Sequence, residues 1–294
     1  MTNHETKQSD QSYALLDSGA GRKLERFGRF TLSRPCSQAV WLPQLPQSAW
    51  QKADATFVRE GDTKWTFHRR DMAESWQVEV SDVIFKISPT DFGHLGIFPE
   101  QREFWEWIQK TILQAKKQGR TEINVLNLFA YSGGSTLAAA KAGAHVCHLD
   151  ASKGMVTWAR ENAAMNHLEA APIRWIVEDV GKFLQREVRR GKRYDAIILD
   201  PPSFGRGSNG EVFKIEEHLL EILKQCRALL SDHPLFILFS CHTPGFTPIA
   251  MRHLLTQMME GCRGAIDDGE MKLTGAENVL PLPSGTYARW TNAS

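Results

Sequence analysis

Apolar and polar positions change their period along this chain near residue 90. Before that point short runs alternate: Phe30-Thr31-Leu32, Ala55-Thr56-Phe57-Val58, Trp65-Thr66-Phe67, and residues 76–87, which alternate in two segments about Ser81-Asp82. Period-two alternation predicts half-buried strands, and the last two segments a hairpin. The expected product is a small antiparallel sheet or barrel over residues 13–90, after a polar tail at residues 1–12 expected to be disordered. Residues 91–102 (DFGHLGIFPEQR) read as a loop with Pro99 placed to begin a helix. Phe104, Trp105, Ile108 and Ile112 then recur at helical spacing up to residue 117.

From residue 124 the two periods interleave. Apolar runs at residues 125–129, 146–149, 173–177, 194–199 and 235–239 are predicted strands. Residues 135–142, 153–165, 181–190, 215–230 and 248–260 are predicted helices, and residues 270–273 and 285–290 closing antiparallel strands. Gly143 is placed to end the first of these helices, and residues 205–210 read as a flexible loop. This rhythm predicts an α/β class domain over residues 91–294, a doubly wound, mainly parallel, seven-stranded Rossmann-like sheet.

Composition narrows the partners. A hydrophobic fraction of 42% and a charged fraction of 23% are those of a globular protein. No apolar run is long enough to span a bilayer, and the first ten residues lack an apolar signal core, so a cytoplasmic protein is expected. The five cysteines, Cys36, Cys147, Cys226, Cys241 and Cys262, are scattered with no C-x-x-C pair, so neither a disulfide framework nor a metal site is expected. A net charge of +1 gives no global attraction to nucleic acid; such a partner would be held by local patches. Basic residues do recur early (Arg22, Lys23, Arg26, Arg29, Arg34, His68, Arg69, Arg70), where a solvated face of mixed charge is the plainer reading and an RNA-contacting surface the sharper one. Tryptophans crowd the same region (Trp41, Trp50, Trp65, Trp76, Trp105, Trp107), for packing or, less commonly, base stacking.

The chemistry concentrates in residues 124–150, which read strand, glycine turn, helix, strand, acid. Gly133-Gly134 lets the backbone approach a ligand at a helix start, and Asp150 can accept hydrogen bonds from both hydroxyls of a ribose. The G-x-G-x-x-G spacing is missing, so a dinucleotide is the weaker candidate. Asp179, Asp200 and Cys241 also fall at strand ends, where ligands of such sheets bind. Asp200-Pro201-Pro202-Ser203-Phe204 is the most specific signal: two prolines freeze the exit of a buried strand, the carboxylate can bond an amino or ring nitrogen, and Phe204 can stack on a planar ring.

NLFAYSGGST, LDAS, ED and DPPSFG, in this order, resemble the class I S-adenosylmethionine-dependent methyltransferases, and more closely the ribosomal RNA cytosine-C5 methyltransferase group with a D-P-P-x-F motif. GHLGIFPEQR is similar to that group's G-h-x-G-x-x-x-D-Q-R segment, with Glu100 in place of Asp. The resemblance implies that Phe129, Ala130, Tyr131, Ser132, Gly133 and Gly134 hold the methionine part of S-adenosyl-L-methionine. Asp150, Ala151 and Ser152 would meet the ribose, Asp179 the adenine amino group, and Val180 the adenine ring. Gln101 and Pro201 would add cofactor contacts. Asp200 would lie between cofactor and base, and Arg102, Pro202 and Phe204 would face an RNA substrate, ribosomal by resemblance.

It further implies that Cys241, in Ser240-Cys241-His242, adds to C6 of cytosine so that C5 can accept the methyl. His242 stands where the group has serine, and proximity can lower the thiol pKa. A buried structural cysteine is the competing reading. Two other functions stay open: methylation of an exocyclic amine with Cys241 idle, and an RNA-associated factor that binds the cofactor without turnover. The group's RNA-binding module is not recognisable in residues 13–89.

Overall fold

In the computed structural model the described residues are 12–59, 64–206, 210, 212–276 and 278–292. Residues 1–11 of the expected tail and the middle of the expected loop (207–209) lie outside them; Ser12, the last residue of that tail, is instead bridged to Glu79 and accepts from Gly28 N–H. The backbone packs as two compact units, one running to Arg102 and including Lys272–Ser284, the other comprising Glu103–Met271 and the chain from Gly285.

The first unit holds strands β1 (Tyr13–Gly19), β2 (Arg22–Phe27), β3 (Phe30–Pro35), β4 (Ala55–Val58) and β5 (Lys64–Phe67), with one helical turn, α1 (Gln47–Trp50). They form one five-stranded sheet in chain order, antiparallel except for the parallel β3–β4 pair. β6 (Trp76–Val80) and β7 (Val83–Ile87) make the expected hairpin, with Ser81 and Asp82 both at positive φ (49° and 67°), the turn that matches strand twist.

Sequence pattern alone passed over β1 and β2, because their polar residues point inward. Glu25, fully buried, accepts from Arg34 Nε and Nη2 at 2.8 and 2.7 Å and from the Tyr13 hydroxyl at 3.1 Å. Arg22 donates to the carbonyls of Ser33 and Phe57. Part of the early basic run is therefore structural, contrary to the solvated face expected of it. Trp41, Trp50, Trp65 and Trp76 each donate their indole N–H within this unit, to Ser18 O, Asp17, Thr90 O and Phe27 O, which answers their abundance by packing.

The second unit begins in α2 (Arg102–Lys117), which follows a 3₁₀ turn at Pro99–Gln101. β8 (Asn124–Leu128), α3 (Gly134–Lys141), β9 (His145–Asp150), α4 (Lys153–Met165), β10 (Ile173–Val177), α5 (Val180–Arg189) and β11 (Ala196–Leu199) follow in strict alternation. A two-stranded ribbon, β12 (Phe204–Arg206) and β13 (Val212–Lys214), precedes α6 (Ile215–Ala228), β14 (Phe236–Cys241), α7 (Pro248–Met258), β15 (Gly264–Leu273) and β16 (Leu282–Asn292). The sheet order is β10-β9-β8-β11-β14-β16-β15, parallel through β14, with β16 antiparallel to it. The chain leaves β8 in one direction and returns in the other at β11, so the switch point lies between these two strands.

Burial explains the central strands: every residue of β11 and β14 is buried. Gly143, at φ 80°, ends α3 as expected. Its N–H reaches Ala140 O while that of Ala144 reaches Ala139 O, the paired bonds of a Schellman end. Polar groups also hold the layers. Glu187 on α5, fully buried, accepts from Arg174 on β10 and from the Tyr194 hydroxyl at 2.7 Å. Burial alone would raise its carboxyl; the Arg174 and Tyr194 hydrogen bonds outweigh that and leave it below the usual range.

Replacing Glu187 by Gln removes the charge that those donors were arranged around, and should cost about 2 kcal/mol of unfolding free energy at neutral pH. Because the native pKa is depressed, the gap between wild type and Glu187→Gln is full above about pH 4.3 and closes as pH falls through the native value. Urea unfolding across pH 3–7 checks both parts.

Candidate active site

β8 ends at Leu128 and the chain turns into α3 through backbone that L-residues avoid. Phe129 and Tyr131 sit at φ 56° and 51°, and Gly133 at φ 94°. Two non-glycine residues in the left-handed region cost about 1–3 kcal/mol each, so the surroundings must fix them. They do. Ala130 N–H donates to Leu149 O at 3.0 Å, Tyr131 N–H to Asp150 Oδ2 at 2.9 Å, and Asn162 Nδ2 to Ser132 O at 2.9 Å. Gly133 forms the N-cap of α3 with no side-chain capping bond, so the first N–H groups of the helix depend on other partners. Gly134 serves packing: a Cβ there would lie 2.6 Å from the Trp105 indole.

Asp150 closes the turn from the next strand. Its Oδ1 accepts from Ser152 N–H at 2.8 Å while Oδ2 takes Tyr131. Each oxygen retains a lone pair, and the carboxylate cannot swing. Burial pushes its carboxyl up, against the opposing pull of the Ser152 and Tyr131 N–H groups. Ala151 is half-buried and Ser152, exposed, caps α4 through Met155 N–H.

Beneath the turn lies a polar set that motif reading passed over. Asn127 Nδ2 donates to Thr136 Oγ1 at 2.9 Å, which meets His148 Nδ1 at 2.9 Å, all three buried. Burial lowers the His148 pKa to about 3, so the imidazole is neutral, and it lies tilted against Trp175 with ring centroids 4.8 Å apart. A histidine inside an apolar strand was the only available signal.

At the next strand ends, Asp179 caps α5 by accepting from Lys182 N–H at 3.0 Å. Val180 is 4% exposed and belongs to the core behind the sheet edge, which leaves little of it to line a ring. Asp200 follows β11 with its side chain partly open, and Oδ1 lies 3.3 Å from His242 Nδ1. Pro201 is buried; Pro202, Ser203 and Phe204 are exposed. Ser203 Oγ pairs with Thr243 Oγ1 at 2.7 Å, tying the Pro-Pro exit to the end of β14. Cys241 is only 1% exposed and sits in the hydrophobic core. Burial raises its thiol pKa, an effect that Thr243 and His242 oppose and do not overcome. The expected pKa-lowering pull of His242 is present in direction, and the net shift runs the other way.

Gln101 and Arg102 belong to the first unit. Gln101 is buried there, and Arg102 donates to Thr274. The second unit thus brings together Asp150, Asp179, Asp200, Cys241 and the 129–134 turn at the carboxyl edge of one sheet.

Residues 27–248 match the model of a family described as S-adenosylmethionine-dependent methyltransferase. The chain belongs to that family. A methyltransferase structure from Agrobacterium tumefaciens, described as SAM-dependent, shares 40% identity over 95% of this chain and 90% of that one, with a TM-score of 0.90. The ribosomal RNA large subunit methyltransferase K/L of Syntrophotalea carbinolica is 31% identical over 54% of this chain and 21% of its own length. The large subunit methyltransferase K of Neisseria meningitidis is 26% identical over 66% of each chain. This chain therefore spans about a fifth of the K/L relative's length.

S-adenosyl-L-methionine is the cofactor of this methyltransferase family, and the second unit offers what the molecule needs. An uncapped helix start, a glycine turn in left-handed backbone and a fixed carboxylate with open lone pairs suit a carboxylate-bearing, ribose-bearing ligand. Asp150→Asn should weaken S-adenosylmethionine binding about 10- to 100-fold, the loss of hydrogen bonds to a charged acceptor. In the wild type, affinity should fall on acidification as Asp150 protonates, beginning at higher pH than for an ordinary aspartate; Asp150→Asn should flatten that limb. Calorimetric titrations from pH 4 to 8 measure both effects.

Proposed function

We propose that this methyltransferase acts on a base of RNA, ribosomal RNA being the class its relatives' names point to, and that the acceptor is an exocyclic amine. The observation that carries the choice is one of access. The Asp200 and His242 side chains retain 26% and 34% of their exposure at the sheet edge, while Cys241, next to His242 at the end of β14, retains 1%. A flipped base can reach the first two without rearrangement and the thiol only with it.

The turn at residues 129–134 holds the methionine end of the cofactor, Asp150 the ribose hydroxyls, and Asp179 the adenine amino group. Bound there, S-adenosylmethionine supplies an electrophilic methyl on a sulfonium. Asp200 accepts a hydrogen bond from the amine to be methylated, and the Pro201-Pro202 backbone keeps the carboxylate aimed in one direction. His242, 3.3 Å away, is placed to take the proton that the alkylated nitrogen loses. Phe204, 52% exposed, stacks on the base.

The cytosine-C5 reading keeps one observation in its favour: Thr243 N–H donates to Cys241 Sγ at 3.4 Å, a bond that favours a thiolate. A raised thiol pKa in a closed core works against it, since the thiolate is the nucleophile.

Cys241→Ala decides between them. Amine methylation predicts turnover within about threefold of wild type and no covalent adduct with 5-fluorocytidine RNA, whereas Asp200→Ala should lose at least about 100-fold. Loss of turnover in Cys241→Ala together with a wild-type adduct would establish the C5 route instead. Mass spectrometry of the methylated nucleosides identifies the product.

A further inference from the structure

The ribbon of β12 and β13 follows the Pro-Pro exit directly, and its two faces differ in kind. Phe204 stands opposite Lys214, Gly205 opposite Phe213, and Arg206 opposite Val212. Residues directly opposite share a face, so Phe204, Val212 and Lys214 lie on one side and Phe213 on the other. Phe213 is half-buried, packs on the Phe129 ring with centroids 5.2 Å apart, and also meets His218 at 5.5 Å. A Cβ at Gly205 would lie 3.7 Å from Phe213 Cβ and from Pro202, so the ribbon sits close on the Pro-Pro segment.

The opposite face is open. Phe204 is 52% exposed, Val212 46%, and Lys214 is exposed, its Nζ 2.7 Å from Glu217 in a surface pair. Such a pair is weak and exchanges readily for a phosphate oxygen. An exposed aromatic with a lysine directly across the ladder is the combination that holds single-stranded nucleic acid, one group under the base and one on the backbone.

We propose that this ribbon is a nucleotide clamp: Phe204 and Val212 support bases, Lys214 holds a phosphate next to the target nucleotide, and Phe213 positions the clamp by seating it on Phe129 of the cofactor turn. The inference rests on the RNA reading above and adds to it the residues of β13. The contact to the phosphate is independent of sequence, so the clamp contributes affinity and register while Asp200 selects the base.

The test uses full-length protein and large-subunit ribosomal RNA transcribed in vitro, with filter binding across a salt series and methyl transfer at saturating cofactor. Lys214→Ala should raise the RNA Kd about 3- to 10-fold and reduce the salt slope by about one, with Lys214→Arg restoring both. Val212→Ser should raise the RNA KM with little change in kcat. Phe213→Ala should raise the KM for RNA and for S-adenosylmethionine together, and Phe213→Leu should recover most of each. Wild-type affinity and salt slope in Lys214→Ala and Val212→Ser would overturn the clamp while leaving RNA methylation standing. A wild-type protein that neither binds nor methylates the RNA would remove the RNA reading, and the clamp with it.

Discussion

The bond from Tyr131 N–H to the Asp150 carboxylate is the constraint on which the rest of the site depends. It joins the ends of two neighbouring strands and makes an unfavourable backbone persist. Together with the Ala130 N–H bond to Leu149 O and the Asn162 bond to Ser132 O, it holds Phe129 and Tyr131 at positive φ against an ordinary strand-to-helix exit. The strain has a use. It lifts the chain over the first turn of α3 and leaves helix N–H groups facing the edge where the strand order reverses. Burial of Asp150 raises its carboxyl toward the neutral form, and two backbone donors pull the other way. The same carboxylate thus fixes the turn and keeps lone pairs in reserve.

A second layer supports that constraint from below. Asn127, Thr136 and His148 come from β8, α3 and β9, the three elements that meet at the turn. Each of these buried side chains takes a hydrogen bond within the set, His148 through Nδ1 alone, and the bonds fix the first turn of α3 against both strands. Trp105 fills the remaining space so closely that only glycine fits at residue 134. The Gly133-Gly134 pair therefore divides its duties: one glycine supplies backbone conformation, the other makes room for an indole.

How far the sequence carried this picture depends on the scale of the signal. The second unit was legible almost strand by strand, because buried parallel strands are short apolar runs between amphipathic helices. β10 and α4 match their expected bounds. In the first unit β1 and β2 escaped, since Asp17 and Glu25 occupy positions where alternation calls for apolar side chains, and their burial is offset by partners far along the chain, Trp50 and the backbone of Gln44 and Leu45 for Asp17 and Arg34 for Glu25. No local pattern encodes a partner nine or more residues away. The site divides similarly. Motifs located Asp150 and Asp200 at strand ends, while the His242–Asp200 contact joins two strand ends about forty residues apart and becomes visible only in three dimensions.

Cys241 shows why a motif cannot decide chemistry. Its neighbours in sequence, Ser240 and His242, match a reactive arrangement closely enough to suggest a nucleophile. In space it belongs to the apolar cluster that also holds Leu199, Phe239, Met251 and Ala288. Ionising a thiol there is opposed on balance: the charged form loses solvent and the nearby Asp200 carboxylate adds repulsion, which the hydrogen bond from Thr243 only partly offsets. An imidazole one residue along is too weak a counterweight, because it faces the open edge and pairs with Asp200 instead. The same step in the chain therefore separates two environments, a closed one around the sulfur and an open one where a carboxylate and an imidazole lie 3.3 Å apart.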